Sequence, residues 1–210
     1  MSDKAFLMRL ISEGEHQRQD FKYKVTDAAK LARSVSAFAN TDGGRLLIGV
    51  RDDGHLSGVR SEEEIYMMRT AASDYCRPAS DIRFETYVGD GRTVVIATVP
   101  EAASKPVRAI CDDGKWRAFI RVGDENIVAS PVHLRMWRDD LAARGPVVSV
   151  GEEEHLVMHV LDTTVGITLQ QVVRRSHVPH HRVVVILARL VRFGLADCRL
   201  EGARFLFTLK

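Results

Sequence analysis

Glu15, Asp20 and Asp52 are the residues of this 210-residue chain whose types could together hold a divalent cation. Three acidic oxygens in one place favour Mg²⁺ or Mn²⁺, and such an ion can activate water against a phosphodiester. Glu15 and Asp20 are five positions apart, which on one helix would put them on different sides. With Glu15 in a turn and Asp20 on the strand it feeds, the two can converge. Asp52, beside Asp53, stands at the far end of an apolar run. Each carboxylate taken alone reads equally well as a solvated turn or strand residue. The cations near them in sequence are Lys22, Lys24, Arg45, Arg51, Lys105, Arg117 and Arg121. That mixture suits a phosphate backbone, and it also suits ordinary surface charge.

A second constellation lies in the tail. His180, His181, Arg182 and Arg189 fall on the polar face of one predicted helix, with Arg192 near its end. Such a face can enter a DNA major groove, where arginine binds guanine in bidentate fashion and both residue types reach phosphates. The same face carries Val184 and Val185, expected to be exposed, so packing against a second copy of the chain is the competing use. Other chemistries are excluded or weak. No G-x-x-x-x-G-K-[ST] loop is present, so a Walker-type ATPase is not expected. His155 and His159 lie one helical turn apart but lack an H-E-x-x-H frame.

Stepping along the chain, the elements that must position these residues can be read from periodicity. Phe6, Leu7, Leu10 and Ile11 mark a first helix ending near Gly14. Gln19–Val25 alternates as a half-buried strand, and Thr26-Asp27 caps a helix through Ala39. Leu46–Val50 is a short apolar run between Asp42-Gly43-Gly44 and Asp52-Asp53-Gly54, which reads as a strand buried on both faces. Ser61-Glu62-Glu63-Glu64 reads as a capping box for a helix to about Tyr75. Hairpins follow at 82–99 and 107–122, around Gly89-Asp90-Gly91 and Asp112-Asp113-Gly114. A helix is expected over Ser130–Ala143, with Pro131 in its first turn. Residues 143–151 break all periodicity and read as a linker. Helices at 153–161, 168–176 and 180–193 and a hairpin at 196–209 complete the tail. Helix, helix, turn, helix, hairpin is a winged helix-turn-helix pattern.

Composition sets the bounds. The net charge is +2; residues 1–150 are neutral, and the tail carries eight Lys/Arg against six Asp/Glu. Three scattered cysteines without metal-ligand spacing point to a reduced, cytoplasmic protein. No apolar run approaches the length of a membrane span, so no membrane partner is expected.

Glu15-His16-Gln17-Arg18-Gln19-Asp20-Phe21-Lys22 resembles the E-x-x-x-x-E-F-K opening of the Schlafen AlbA-type domain, also known as a divergent AAA domain. Ala37–Gly44 and Leu47–Gly54, closing at Gly58, resemble its second signature. Lys105-Pro106 and Phe119–Gly123 resemble its later strands. The tail is similar to winged-helix domains that follow this module in bacterial proteins described as transcriptional regulators. The resemblance implies nucleic-acid binding, with DNA favoured and RNA as the alternative. In vertebrate Schlafen proteins the matching acidic positions form a metal-dependent tRNA and rRNA endonuclease site, which carries over to Glu15, Asp20 and Asp52. Asp20 departs from the usual glutamate and is one methylene shorter. The expected architecture is α+β: a mixed β-sheet with flanking helices over residues 1–143, then a winged helix over 152–210. The expected protein is a DNA-binding transcriptional regulator acting as a homodimer. A metal-dependent RNA endonuclease and an assembly module whose winged helix only dimerises are the alternatives.

Overall fold

The computed structural model describes residues 3–141 and 151–210, so most of the expected linker lies outside the described residues. Two compact units result, Met1–Val128 and Ala129–Lys210.

The first unit is a mixed α+β fold. It contains α1 (Asp3–Ser12), β1 (Gln19–Lys22), α2 (Ala28–Asn40), β2 (Gly44–Ile48), α3 (Ser61–Ser73), β3 (Cys76–Arg77), β4 (Arg83–Gly89), β5 (Arg92–Val99), β6 (Arg108–Ile110), β7 (Trp116–Val122) and β8 (Glu125–Val128). One sheet has the order β1-β2-β5-β4, with β1 parallel to β2 and the other pairs antiparallel. The second sheet has the order β3-β6-β7-β8 and is antiparallel throughout.

The period-two alternation of β2 explains why it needs apolar residues on both sides. Leu46 and Ile48 face α2, packing with Leu31, Val35 and Phe38. Leu47 faces α1, packing with Leu7, Leu10 and Phe21. The expectation of a strand buried on both faces is met. The turn before it is also explained. Gly43 adopts φ +66°, and a Cβ on Gly44 would lie 2.3 Å from the Phe38 ring. The first residue needs the left-handed region and the second needs the absence of a side chain.

Helix α2 is capped by Asp27, which accepts from the Ala29 and Lys30 amides as the sequence suggests. Its polar residues tie it to the second sheet. Asn40 Nδ2 donates to the carbonyls of Val107 (2.7 Å) and Phe119 (2.9 Å), and its Oδ1 accepts from the Val107 amide (2.8 Å). Ser36 accepts from the Phe119 amide at 3.0 Å and donates to the Val107 carbonyl at 2.8 Å. The capping box expected at α3 rests on the Ser61 side chain, which lies outside the described residues. Ser61 is the first helical residue, and Arg60 at the cap makes no side-chain capping bond.

The second unit contains α4 (Pro131–Leu141), α5 (Glu152–Asp162), β9 (Ile167–Thr168), α6 (Leu169–Ser176), α7 (His180–Arg192), β10 (Ala196–Glu201) and β11 (Arg204–Leu209). Its sheet has the order β10-β11-β9. The boundary falls after Val128 rather than at residue 143, because α4 packs along α7 and Val132 is fully buried in this unit's core. Strands β3, β8 and β9 are short additions that periodicity did not reveal. The three cysteines are free, and burial pushes the Cys76 and Cys198 thiols up to about 12.

Candidate nucleic-acid interface

The acidic trio does not assemble as expected. Glu15 lies between α1 and β1, and its Oε1 accepts the Phe21 amide at 2.8 Å. That amide belongs to the strand edge not paired with β2, so Glu15 satisfies an edge donor. Asp20 is 4% exposed. Its Oδ2 pairs with Lys22 Nζ at 2.6 Å and its Oδ1 with Arg121 at 3.4 Å. Burial, together with a hydrogen bond and charge from Asp20, pushes the Glu15 carboxyl above its ordinary value, against the pull of the Phe21 amide and Lys22. Glu15 and Asp20 are therefore brought together.

Asp52 is not brought to them. The chain turns at Gly49 after β2, Val50 bridges to Leu56, and Asp52 stands exposed in the turn between. Asp53 beside it accepts the His55 amide at 2.9 Å, a local turn bond. Among the described residues no three His, Cys, Asp or Glu side chains gather to hold a metal. The donor set thus does not fit Mg²⁺ or Mn²⁺. One carboxylate is neutralised by two cations, one caps a strand edge, and the third lies in an exposed turn.

The cations of this unit separate sharply by environment. Arg121 is buried inside the unit and cannot reach a phosphate. Its guanidinium sits 5.1 Å from the Phe38 ring centroid and donates to Asn126 Oδ1 (3.0 Å) and the Gln19 carbonyl (3.2 Å). Arg45 donates to Gln19 Oε1 and pairs with Glu13. Lys105 pairs with Glu101 at 2.7 Å. Arg117 grips Asp113 in bidentate fashion at 2.8 and 2.6 Å, holding that carboxyl down at about 2. Lys22 is committed to Asp20. Lys24 and Arg51 remain, without acidic partners among the described residues.

Those two cations flank one aromatic ring. Tyr23 follows β1 and is 42% exposed. The Arg51 guanidinium lies 4.8 Å and Lys24 Nζ 5.4 Å from its ring centroid. Parallel pairing of β1 with β2 brings Tyr23 and Arg51 to the same end of the sheet. A half-exposed ring with two cations over it is a basic–aromatic surface: the cations can turn to phosphates, and a ring face they leave can stack a base. Tyr23 was missed as a site residue in the sequence, although Lys22-Tyr23-Lys24 is a basic–aromatic–basic run that could have signalled it.

In the second unit His180 and His181 are exposed at the start of α7. Arg182 and Arg189 are instead drawn to the acidic first turn of α5. Arg182 pairs with Glu153 at 2.6 Å, and Arg189 with Glu154 at 3.9 Å. Val184 is buried and Val185 half-buried, so the apolar patch expected on α7 is absent. Interhelical packing takes up that face, and the case for a homodimer from exposed valines falls with it. No described helix is long and apolar enough to cross a membrane.

Residues 15–130 match the family model described as Schlafen, AlbA_2. The DIP2311 protein from Corynebacterium diphtheriae is similar in structure, with a TM-score of 0.46 and 20% identity, over 75% of this chain and 39% of that one. This chain therefore spans about two fifths of that protein's length. The N-terminal domain of a RecG-related protein from Nitrosomonas europaea is similar with a TM-score of 0.45 and 24% identity, over 60% of this chain and 91% of that one. No curated protein matches the chain.

Proposed function

This chain belongs to the Schlafen AlbA_2 family, and on that premise we propose that it binds nucleic acid through the end of its first sheet. The observation that carries the reading is the exposed Tyr23 ring set between Lys24 and Arg51. The ring supplies a stacking surface, and the two cations supply charge that is not tied up in an ion pair among the described residues. The finer reading is a DNA-binding transcriptional regulator. It is supported by the order of elements in the second unit, α5-β9-α6-α7-β10-β11 with sheet order β10-β11-β9, which suits a winged helix. A regulator of this kind would bind paired half-sites as a homodimer, which sedimentation velocity with and without DNA would decide. The endonuclease alternative has no observation in its favour, because its three acidic positions do not share a site.

The test is a fluorescence-anisotropy titration of the full chain against duplex DNA, single-stranded DNA and tRNA. Loss of one stacking contact costs about 1–3 kcal/mol, so Tyr23→Ala should weaken binding to the preferred nucleic acid by roughly tenfold. Unchanged affinity for all three in Tyr23→Ala would overturn the reading.

A further inference from the structure

A cavity of about 600 Å³ opens in the second unit, a size typical of small-ligand sites. It lies among the start of α4, the outer side of α6, the first residue of α7 and strand β11. Its charged lining residues are Arg174 and Arg204, with His180 also in the lining, and none of the lining residues is acidic. This differs from four other arginines of the unit. Arg135, Arg182, Arg189 and Arg199 each face a carboxylate. Arg174 and Arg204 have no acidic partner among the described residues, and both converge on this concavity. Two unpaired guanidinium forks in one cavity lining suit a phosphate, which each can bind in bidentate fashion.

The lining also has an apolar part. Phe205, Pro131 and Leu169 form it. Phe205 is held edge-on by the His133 ring at 4.9 Å, and His133 is itself held by Ser130 at 2.7 Å. The first turn of α6 adds little, since Thr168 and Gln171 already close it as a reciprocal capping pair. Gln170 adds an amide to the lining. The cavity thus combines two cations and an aromatic ring in its lining.

We propose that this cavity binds a nucleotide, with its phosphate between Arg174 and Arg204 and its ring against Phe205. The nucleotide is either free or part of a strand. The site is independent of the Tyr23 surface and stands if that surface fails.

The test is calorimetric titration of the full chain with adenosine 5′-monophosphate, inorganic phosphate and a short single-stranded oligoadenylate. Arg174→Gln and Arg204→Gln remove charges that make no internal ion pair, so both variants should fold normally. Each should weaken binding of the mononucleotide at least tenfold, while Arg175→Gln, outside the cavity, and Tyr23→Ala leave it unchanged. The same pattern seen only with the oligoadenylate assigns the cavity to a nucleotide within a strand. The proposal is overturned if neither nucleotide probe binds or if the double Arg174→Gln, Arg204→Gln variant binds both as well as the unaltered chain. It is equally overturned if Arg175→Gln weakens binding as much, or if inorganic phosphate binds as tightly as the mononucleotide.

Discussion

Arg121 meets Asp20 at 3.4 Å with 1% and 6% of the two side chains exposed, so strand β7 is joined to edge strand β1 by a buried charge pair. Removing one member of such a pair leaves the other charge buried with less compensation. Arg121→Met should therefore destabilise the protein by about 3–5 kcal/mol, read as a lower urea midpoint with an unchanged m-value. Arg121→Met with Asp20→Leu should recover part of that loss, because the desolvated carboxylate is gone. Lys22, the second cation on Asp20, limits the effect of the single change.

The Glu15 carboxyl gives a pH signature of opposite sense to the usual paired acid. Its value is raised in the folded state, first by burial and then by Asp20. Between the unfolded and folded values the native state holds the extra proton, so stability falls as pH rises through that window above the ordinary 4.5. Glu15→Gln keeps an acceptor for the Phe21 amide and cannot ionise. Its stability relative to the unaltered chain should increase from pH 4 to pH 7, as measured by urea unfolding at both.

His133 behaves in the reverse way. Burial depresses its folded value from 6.5 to about 4. Its contribution is fully present above 6.5 and is lost as pH falls towards about 4, because only the unfolded chain takes up the proton in that range. The loss attributable to this ring is at most about 3 kcal/mol. His133→Asn should be less sensitive to acid over that interval in thermal unfolding of the full chain.

The pairing of the arginines separates two sets of variants in nucleic-acid binding. Lys24→Ala and Arg51→Gln remove unpaired charge beside Tyr23, and each should lower the slope of log K against log salt by about one. Arg182→Ala breaks a pair that is 42% and 36% exposed, so it should cost less than about 1 kcal/mol of stability and leave the salt slope unchanged. A salt titration of the three variants beside the unaltered chain checks both halves.

Local chemistry made much of the fold legible. The cap at Asp27, the Gly43-Gly44 turn, the apolar run of β2 and the helical spacing of Val183, Ile186, Leu187 and Leu190 each act over a few residues, and each reads directly. The candidate site was less legible because it depends on what faces each charge across the fold. In Phe119-Ile120-Arg121-Val122, charge alone reads Arg121 as a surface residue, yet it shares the face of Phe119, which is turned to α2 and Phe38. Arg182 and Val184 read as surface residues on α7 until α5 and α4 are laid beside them. Conversely, the worth of Tyr23 depends on Arg51, which lies a helix and a strand later in the chain.

Helix α2 is a wall shared by two rooms. Ten of its thirteen residues are buried, some against the first sheet and some against the second. The first sheet has a further apolar face against α1, but the buried residues of the second sheet, Ala109 and Phe119, belong to the α2 cluster. The first unit should therefore open to solvent in one step, with the amides of β2, α2 and β7 exchanging hydrogen at a common limiting free energy. A chain cut short before β7 would not be a smaller version of this fold, because its central helix would be left half uncovered.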